Sequence, residues 1–371
     1  MPEGKARECR CFQSPSRYMQ GPGMIKRLPK FAATFGPAAV LIIDPFFYEE
    51  FSTTVPKMFE EAGMRAYSIK FPGYAGKKEL AELIEAVKAL PEIPDTFIGM
   101  GGGQAMDINK AVAASFRKNW ISFATALTTD APTFTHTVIN NPGAQNELMF
   151  HYKNPDYVVV DTDITIKAPG WMLVSGIGDA LATYFEAQAS YANNNVCNAG
   201  LEDYRPTLLG LTSAKLCCDI LLKDGVAAMR AAKQHLRTPA YENVVEATTL
   251  LSGVGCENTG VSIAHGLQAG FGVLPKHFPH GVGVGFCVLV QLIVENSDRF
   301  EEIFEFNKAI GLPVCTADLA IPADQRDELL EKLVDGVYGK RWQVMNQPHF
   351  YEKSTLVDAI KYLDAYAEEH K

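Results

Sequence analysis

The sequence predicts a protein of two domains, an α/β domain over residues 1–166 and an all-helical domain over residues 167–371. Three observations support this prediction. The chain of 371 residues is longer than most single domains. From about residue 37, short apolar runs alternate with amphipathic segments, a rhythm typical of a parallel sheet with helices on both faces. After Ala168, segments of helical periodicity follow one another and almost no strand-like alternation remains.

The elements of the first domain follow from this rhythm. Apolar runs predict strands over residues 38–44, 65–71, 96–100, 120–125 and 157–164. Amphipathic segments predict helices over residues 45–63, 77–90 and 104–118. Between Thr133 and Tyr152, two strand-like runs flank the turn residues Asn140-Asn141-Pro142-Gly143, which predicts a β-hairpin. In the second domain, helices are expected over residues 174–191, 207–222, 241–270, 283–295 and 324–337.

Composition and charge exclude several classes of function. The net charge of −9 argues against a nucleic-acid partner and against an anionic membrane surface. Residues 1–20 lack the apolar run of a signal peptide, and the longest stretch of low charge, residues 281–294, is shorter than a membrane span. The 8 cysteines lack the spacings of a zinc site, and a chain of this length does not need disulfides. We therefore expect a cytoplasmic protein with reduced thiols and no membrane partner.

A glycine-rich turn, GMGGG at residues 99–103, ends a predicted strand and leads into a predicted helix. Consecutive glycines let backbone N–H groups approach an anion, and a helix N-terminus favours negative charge, so a diphosphate is the expected ligand. The GxGxxG fingerprint does not fit, because its sixth position is Gln104. Asp44, the best candidate for a ribose-binding carboxylate, precedes the glycines. Both features also suit ordinary tight turns, and that alternative stays open.

Asp179, His265 and His280 form a candidate metal site. Asp179 follows two glycines near the start of a predicted helix, His265 lies late in a long predicted helix, and His280 lies in a loop before an apolar segment. One carboxylate and two imidazoles leave an open position on tetrahedral zinc, which is the catalytic arrangement. Alternatively, Asp179 is a carboxylate favoured by the helix dipole, and each histidine is an ordinary core or surface residue.

Five segments, in order, resemble the glycerol dehydrogenase branch of the group-III metal-dependent alcohol dehydrogenases, a superfamily that includes dehydroquinate synthase. They are GMGGGQAMDINKA (99–111), TTDAPTF (128–134), SGIGDALATYFEA (175–187), LSGVGCENTGVSIAHGLQAGF (251–271) and PHGVGVGF (279–286). The resemblance implies a dehydroquinate synthase-like fold, with a Rossmann-like dinucleotide-binding domain followed by a helical metal-binding domain. It also implies NAD as cofactor and a homo-oligomeric assembly.

The same resemblance implies roles for individual cofactor-binding residues. The diphosphate is expected at the glycine turn, where the relevant residues are Gly101, Gly102 and Gly103. Asp44 falls where the family holds the adenosine ribose, and a carboxylate there favours NAD over NADP. The further residues expected at the cofactor are Asp107, Thr125 and Thr128.

For the metal and the substrate, the resemblance implies a catalytic centre. Asp179, His265 and His280 fall on the family's metal ligands. Thr183 stands where the iron-dependent members have a further histidine, so zinc is favoured over iron. Asp130 looks like the residue that hydrogen-bonds a substrate hydroxyl, which implies a small polyol or alcohol with a vicinal diol preferred.

The chain departs from the family at four positions. Gln104 replaces a lysine, and Phe134, His136 and Asn140 replace serine, leucine and tyrosine near the nicotinamide. His136 is either a catalytic proton shuttle or a strand residue without a role in the chemistry.

We expect NAD- and zinc-dependent oxidation of a small polyol or secondary alcohol by hydride transfer. One alternative is the same chemistry on a hydroxy acid or another hydroxy compound. Two others are a member of the family without dehydrogenase activity and a phosphate-releasing lyase. The lyase would need Lys and Arg residues that the segments around Asp179 and His265 lack.

Overall fold

The computed structural model describes residues 8–141, 146–200 and 202–370, with only the backbone described at residue 342. Contacts divide the described chain into two compact units. The first contains residues 13–168 and 235–237, and the second contains residues 8–12, 169–234 and 238–370. Within the described residues, no helix combines the length and the apolar character that crossing a bilayer requires.

The first unit is an α/β structure. Its strands are β1 (Tyr18–Gly21), β2 (Ala38–Ile43), β3 (Arg65–Lys70), β4 (Thr96–Gly101), β5 (Asn119–Ala124), β6 (Thr137–Ile139), β7 (Glu147–Met149) and β8 (Tyr157–Asp161). Its helices are α1 (Leu28–Ala32), α2 (Tyr48–Glu61), α3 (Lys77–Lys88), α4 (Gly103–Ser115) and α5 (Thr162–Thr165), with a 3₁₀ turn at Met24–Arg27. Six strands form a parallel sheet in the order β1-β8-β5-β4-β2-β3.

Apolar side chains on both faces hold this sheet between helices. Leu41 and Ile43 of β2 belong to one buried cluster, together with residues of α1 and α2. Val40 and Ile42 of the same strand point to the opposite face and belong to a second cluster with residues of α3 and α4. Strands β2, β4 and β8 are buried throughout, as expected for central parallel strands. The predicted α/β fold with a parallel sheet is confirmed.

The strand order places a topological switch point between β2 and β4. The chain passes from β2 to β3 on one side and then returns to β4 on the other. In open α/β sheets, ligands bind outside the carboxyl ends of the strands at such a point. The predicted hairpin is also present, since β6 and β7 pair antiparallel. Pro142 and Gly143 of its predicted turn lie outside the described residues.

The second unit is built from helices. They are α6 (Gly170–Ala192), α7 (Leu208–Lys233), α8 (Pro239–Glu246), α9 (Ser252–Glu257), α10 (Ile263–Gln268), α11 (His280–Val294), α12 (Phe300–Ile310), α13 (Arg326–Val337) and α14 (Lys353–Glu369). A π-helical turn at Ala247–Leu251 joins α8 to α9, and 3₁₀ turns lie at Phe271–Val273 and Trp342–Met345. The helical character predicted for this part of the chain is confirmed.

Several predicted boundaries were wrong. The helix expected over residues 241–270 is broken, because Gly260 has a φ of +127° that helical geometry does not permit. His265 therefore lies on the separate six-residue helix α10. His280 is the first residue of α11 rather than a loop residue, since Pro279 stands at the N-cap. Asp179 lies well inside α6, which begins at Gly170.

Other differences lie at strand and helix ends. The strand expected over residues 157–164 ends at Asp161, whose carboxylate accepts the N–H of Asp163 and caps α5. Helix α7 runs to Lys233, beyond the predicted end at 222. Strand β1 and helices α12 and α14 had not been predicted.

Candidate functional site

The three candidate metal ligands come together in the helical unit. The Oδ1 atom of Asp179 lies 3.3 Å from Nε2 of His265 and 3.4 Å from Nε2 of His280. One ligand atom from each residue lies within 4.8 Å of the other two. Asp179 is buried, whereas the His265 side chain is 19% exposed and that of His280 is 44% exposed. The Asp179 carboxylate is therefore enclosed by protein, and solvent reaches the cluster mainly at His280.

Glycines next to two of these residues bring their helices into contact. Gly178 precedes Asp179 on α6, and Gly281 follows His280 on α11. A Cβ atom at Gly281 would lie 1.9 Å from the backbone oxygen of Ser175, and one at Gly178 would lie 2.2 Å from the backbone oxygen of Gly281. No side chain fits at this crossing, so α6 and α11 touch backbone to backbone beside the candidate ligands.

Glu186 contacts the second ring nitrogen of His265. It lies on α6, seven residues after Asp179 and on the same side of the helix. Its Oε2 atom pairs with Nδ1 of His265, and its Oε1 atom accepts the backbone N–H groups of Ser262 at 2.7 Å and His265 at 2.9 Å. A carboxylate behind a ligating histidine is the usual way in which proteins orient the ring toward a metal.

The charges of this cluster favour a cation. Burial raises the pKa of Asp179, but the rings of His265 and His280 outweigh burial and hold it well below its ordinary value. Burial lowers the pKa of His265, but the charges of Glu186 and Asp179 outweigh that effect and hold it well above its ordinary value. Two carboxylates around one imidazole thus make an electronegative site.

Two of the three donor separations fit a tetrahedral metal ion. A tetrahedral ion with bonds of about 2.1 Å separates its ligand atoms by about 3.4 Å. The distances of 3.3 Å and 3.4 Å from Asp179 Oδ1 to the two imidazole nitrogens match this value. The buried Oδ1 atom of Asp179 has no hydrogen-bond partner among the described residues, and a bound cation would satisfy it. The hydroxyl of Thr183 lies 2.9 Å from that of Ser252, and the two form a hydrogen bond.

The candidate nucleotide residues meet at the switch point of the sheet. Asp44 follows β2, and the glycine turn connects β4 to α4. A Cβ atom at Gly101 would lie 2.9 Å from the Asp44 Cβ atom, and one at Gly102 would lie 3.9 Å from the Thr128 hydroxyl oxygen. The structure therefore brings the carboxylate, the glycines and Thr128 to one edge, as expected for a site that holds ribose and diphosphate together.

Asp44 and Thr125 are both engaged by backbone groups at this edge. The Oδ1 atom of Asp44 accepts the N–H of Phe46 at 3.0 Å, so the carboxylate also caps its own turn. Its Oδ2 atom lies on the side of Gly101. The N–H of Thr125 donates to the backbone oxygen of Gly101 at 3.0 Å and extends the pairing of β4 with β5.

Asp107 lies one turn into α4 and is almost fully buried. It is 6% exposed, and its Oδ1 atom lies 2.8 Å from Nζ of Lys110, a residue with no exposed surface. Its Oδ2 atom accepts the N–H of Val138 at 3.1 Å. The Lys110 ammonium also donates to the backbone oxygens of Ala131 at 3.0 Å and His136 at 2.6 Å. Asp107 thus anchors the segment after residue 130 through a buried ion pair.

His136 and Asp130 lie on the segment that this ion pair anchors. The His136 ring stacks on Phe134 with centroids 4.7 Å apart, and its Nδ1 atom is buried without a hydrogen bond to any described residue. Burial, with the charges of Lys110 and His151 adding to it, lowers the pKa of His136 to about 3. Asp130 is 7% exposed, and its backbone oxygen accepts the N–H of Thr133.

Two of the unusual residues touch one another. The Gln104 side-chain oxygen accepts the N–H of Ala75 at 3.0 Å and the side-chain N–H of Asn140 at 3.3 Å. The Asn140 side-chain oxygen in turn accepts from Asn146 at 3.2 Å. These bonds tie the β6–β7 hairpin to the first turn of α4.

Glu186 and Lys110 contribute to these sites although no role was predicted for them from the sequence. Glu186 had a visible signal, because a carboxylate seven residues after Asp179 faces the same side of a helix. Lys110 follows Asp107 by three residues, a spacing that predicts an ion pair on one helix face. In neither case does spacing tell whether the face is buried.

Known proteins are similar to this chain over nearly its whole length. Residues 19–169 match the family described as iron-containing alcohol dehydrogenase. The chain is 34% identical over 370 residues to glycerol dehydrogenase of Thermotoga maritima, over 96% of this chain and 97% of the relative. It is also 34% identical to glycolaldehyde reductase of Halobacterium salinarum, over 86% of this chain and 87% of that protein. The solved structure of glycerol dehydrogenase from Schizosaccharomyces pombe has a TM-score of 0.91 and 30% identity, over 99% of this chain and 93% of the other.

Proposed function

Because the chain belongs to the glycerol dehydrogenase branch of the iron-containing alcohol dehydrogenase family, we propose that it interconverts a small polyol and the matching ketone with NAD. A vicinal diol of the glycerol type is the preferred substrate. The observation that carries this proposal is the cluster of Asp179, His265 and His280, whose donor atoms have the spacing of a three-ligand metal site.

These three residues hold a divalent metal, and we assign it as zinc. Two imidazoles and one carboxylate suit zinc, and the position of Thr183, where iron-dependent members have a histidine, adds no fourth ligand. A metal held by three protein ligands polarises a substrate hydroxyl and lowers its pKa. The chain contributes the rigid ligand geometry, through the crossing of α6 and α11 and through the carboxylate behind His265.

The edge of the parallel sheet binds NAD. Backbone N–H groups at Gly102 and Gly103 begin α4 and face the diphosphate, with Thr125 and Thr128 beside the turn. Asp44 accepts hydroxyl groups of the adenosine ribose, and its negative charge repels a 2′-phosphate. The enzyme therefore prefers NAD to NADP.

Asp130 positions the substrate hydroxyl next to the one that is oxidised, which accounts for the preference for a vicinal diol. Of the two roles left open for His136, the one without a part in the chemistry fits its surroundings better. A ring whose pKa is lowered to about 3 is a weak base at neutral pH and is poorly matched to proton transfer. We assign His136 to the packing of the segment around Phe134.

A second substrate class is a short hydroxy aldehyde, acted on in the direction of reduction. The relative from Halobacterium salinarum that is named glycolaldehyde reductase favours this class. Phe134, which stands where the family usually has a serine, also places a large ring on the segment that carries Asp130. We further propose that the chain assembles as a homo-oligomer, which light scattering of the purified protein would test directly.

Absorbance at 340 nm tests the activity. The protein is assayed for NAD reduction with glycerol, 1,2-propanediol, 2,3-butanediol and small 2-hydroxy acids, and for NADH oxidation with glycolaldehyde, each after chelation and after zinc is restored. Turnover of the diols that chelation abolishes and zinc restores is expected. Asp179→Asn should abolish turnover while NAD binding survives. The control is Asp219→Asn, which should leave turnover unchanged, because Asp219 is an exposed carboxylate paired to Lys215.

Activity that chelation leaves unchanged would contradict the metal site. Turnover of glycolaldehyde or of a hydroxy acid, without turnover of any diol, would contradict the substrate class but leave the metal site standing.

A further inference from the structure

The contacts of Glu186 single out this residue in the helical unit. Its side chain has no exposed surface, and its two oxygens meet three donors, one ring nitrogen and two backbone N–H groups. All three belong to the short segment that starts α10 and carries His265. The Glu186 carboxylate therefore contacts both the ring and the backbone of His265, a candidate metal ligand.

We propose that Glu186 is a positioning residue that sets the tautomer of His265, keeping the proton on Nδ1 and the Nε2 lone pair free for the metal. An ionised carboxylate accepts hydrogen bonds and donates none, so the ring nitrogen that faces it must carry the proton. In the neutral ring, the other nitrogen then faces Asp179 Oδ1 at 3.3 Å without a proton. This inference rests on the metal site of the proposed function and assigns the residue that prepares it.

A second layer of polar contacts holds the segment in place behind Glu186. The Ser262 hydroxyl donates to the backbone oxygen of Asn346 at 2.6 Å, and the side chain of Gln347 donates to Ser262 at 2.7 Å and to Glu295 at 2.9 Å. The N–H of Ala264 donates to the Gln291 side chain at 3.1 Å. A six-residue helix is too short to be stable alone. These contacts to neighbouring segments therefore fix the position of α10.

The substitution Glu186→Gln should change the tautomer of His265 without destabilising the metal-free fold. The amide oxygen of Gln still accepts the two backbone N–H groups of Ser262 and His265, which leaves the NH₂ group facing Nδ1. Nδ1 must then accept, and the ring proton moves to Nε2, where it can donate to Asp179. All buried groups keep partners, so the metal-free fold survives while the lone pair needed for the metal is lost.

Two measurements test the proposal without using turnover. Zinc affinity is measured by competition with a chromophoric chelator, and the stability of the metal-free protein is measured by urea unfolding. Glu186→Gln should weaken zinc binding by about 10- to 100-fold, the range found for partners of ligating histidines, while the metal-free urea midpoint changes little. Glu257→Gln is the matched control, because Glu257 is also fully buried in this unit and its charge acts on Cys11 and Cys197 instead.

Two further variants keep the test decisive. Glu186→Asp retains an acceptor-only carboxylate, so it should bind zinc more tightly than Glu186→Gln even though it is shorter. In a His265→Ala background, Glu186→Gln should have no further effect on zinc affinity, because Glu186 acts through that ring. A zinc affinity within two-fold of the parent in Glu186→Gln, equal or weaker binding by Glu186→Asp, or an undiminished loss in the His265→Ala background would each overturn the proposal.

The tautomer itself is visible in the ¹⁵N chemical shifts of histidine in the metal-free protein at alkaline pH, where the His265 ring is neutral and carries one proton. The parent should show a protonated Nδ1 at His265, and Glu186→Gln should show a protonated Nε2. A parent that binds zinc and shows this tautomer, but turns over no alcohol, would remove the proposed function and leave this inference intact. A parent whose neutral His265 ring carries its proton on Nε2 would overturn the inference whatever the enzyme's activity.

Discussion

The substitution Gly281→Ala tests whether the crossing of α6 and α11 sets the metal geometry. An added Cβ atom would lie 1.9 Å from the Ser175 backbone oxygen, and real Cβ atoms essentially never come closer than 3.0 Å. The helices must therefore separate by about 1.1 Å at this point, since neither atom belongs to a flexible side chain. The same displacement carries His280, the neighbouring residue, away from Asp179.

The size of the effect follows from the ligand distances. The separation of 3.4 Å between Asp179 Oδ1 and His280 Nε2 would grow to about 4.5 Å, well beyond the edge of about 3.4 Å that tetrahedral zinc requires. We expect zinc affinity to fall by at least about 100-fold, with diol turnover lost in proportion. Overpacking of the crossing should also cost about 1–3 kcal/mol of unfolding free energy.

Chelator competition and urea unfolding measure both quantities. The matched control is Gly336→Ala on α13, where a Cβ atom meets nothing within 4 Å and should leave zinc binding unchanged. A Gly281→Ala protein with zinc affinity within three-fold of the parent would refute the reasoning. It would mean that the helices can part without moving the ligands.

Two further predictions concern buried charge in the α/β unit. The pKa values of His136 and His151 are lowered to about 3 and about 4, so the unfolded chain takes up protons first as pH falls below about 6.5. Protonation of these two histidines in the unfolded chain should remove about 4 kcal/mol of unfolding free energy between pH 8 and pH 5. His151→Gln should halve that loss in urea titrations, and an unchanged pH dependence in the variant would contradict the lowered pKa of His151. Asp107→Asn leaves the Lys110 ammonium buried without its counter-charge and should cost about 3–5 kcal/mol, which Asp107→Asn with Lys110→Met should partly recover. Urea unfolding of both proteins checks this, and a single variant within 1 kcal/mol of the parent would show that the pair does not anchor the fold.

The central strands were predictable from the sequence because burial on both faces requires a continuous run of apolar residues. Strand β2 is buried on both faces, so its sequence AAVLII is a continuous apolar run that needs no knowledge of its neighbours. Strand β1, at Tyr18–Gly21, lies at the sheet edge, is largely half-buried and contains a glutamine and a glycine. A short edge strand of that composition has no distinctive periodicity, so pattern alone does not find it.

The residues of the candidate metal site were predictable, but their arrangement was not. A carboxylate and two histidines can be selected by residue type and by resemblance, yet their meeting depends on a helix crossing between segments about a hundred residues apart. The break at Gly260 that frees α10 from α9 is equally invisible to helical periodicity, which continues on both sides of it. The role proposed for Glu186 depends on that break, because its carboxylate accepts backbone N–H groups at the start of α10 that would otherwise bond within a continuous helix.

Gln104 and Asn140 show why departures from a family pattern are poorly judged one at a time. Read separately, Gln104 is a lost cation near the diphosphate and Asn140 is a lost tyrosine in the substrate wall. In the structure the Gln104 oxygen accepts from Asn140 and from the backbone of Ala75, and a lysine can accept neither bond. The two residues are therefore best interpreted together: where the family has a charge at the start of α4, this chain has a hydrogen-bonded link to the hairpin. Restoring lysine at position 104 alone would add the charge but break that link, so it would not recreate the arrangement of the family.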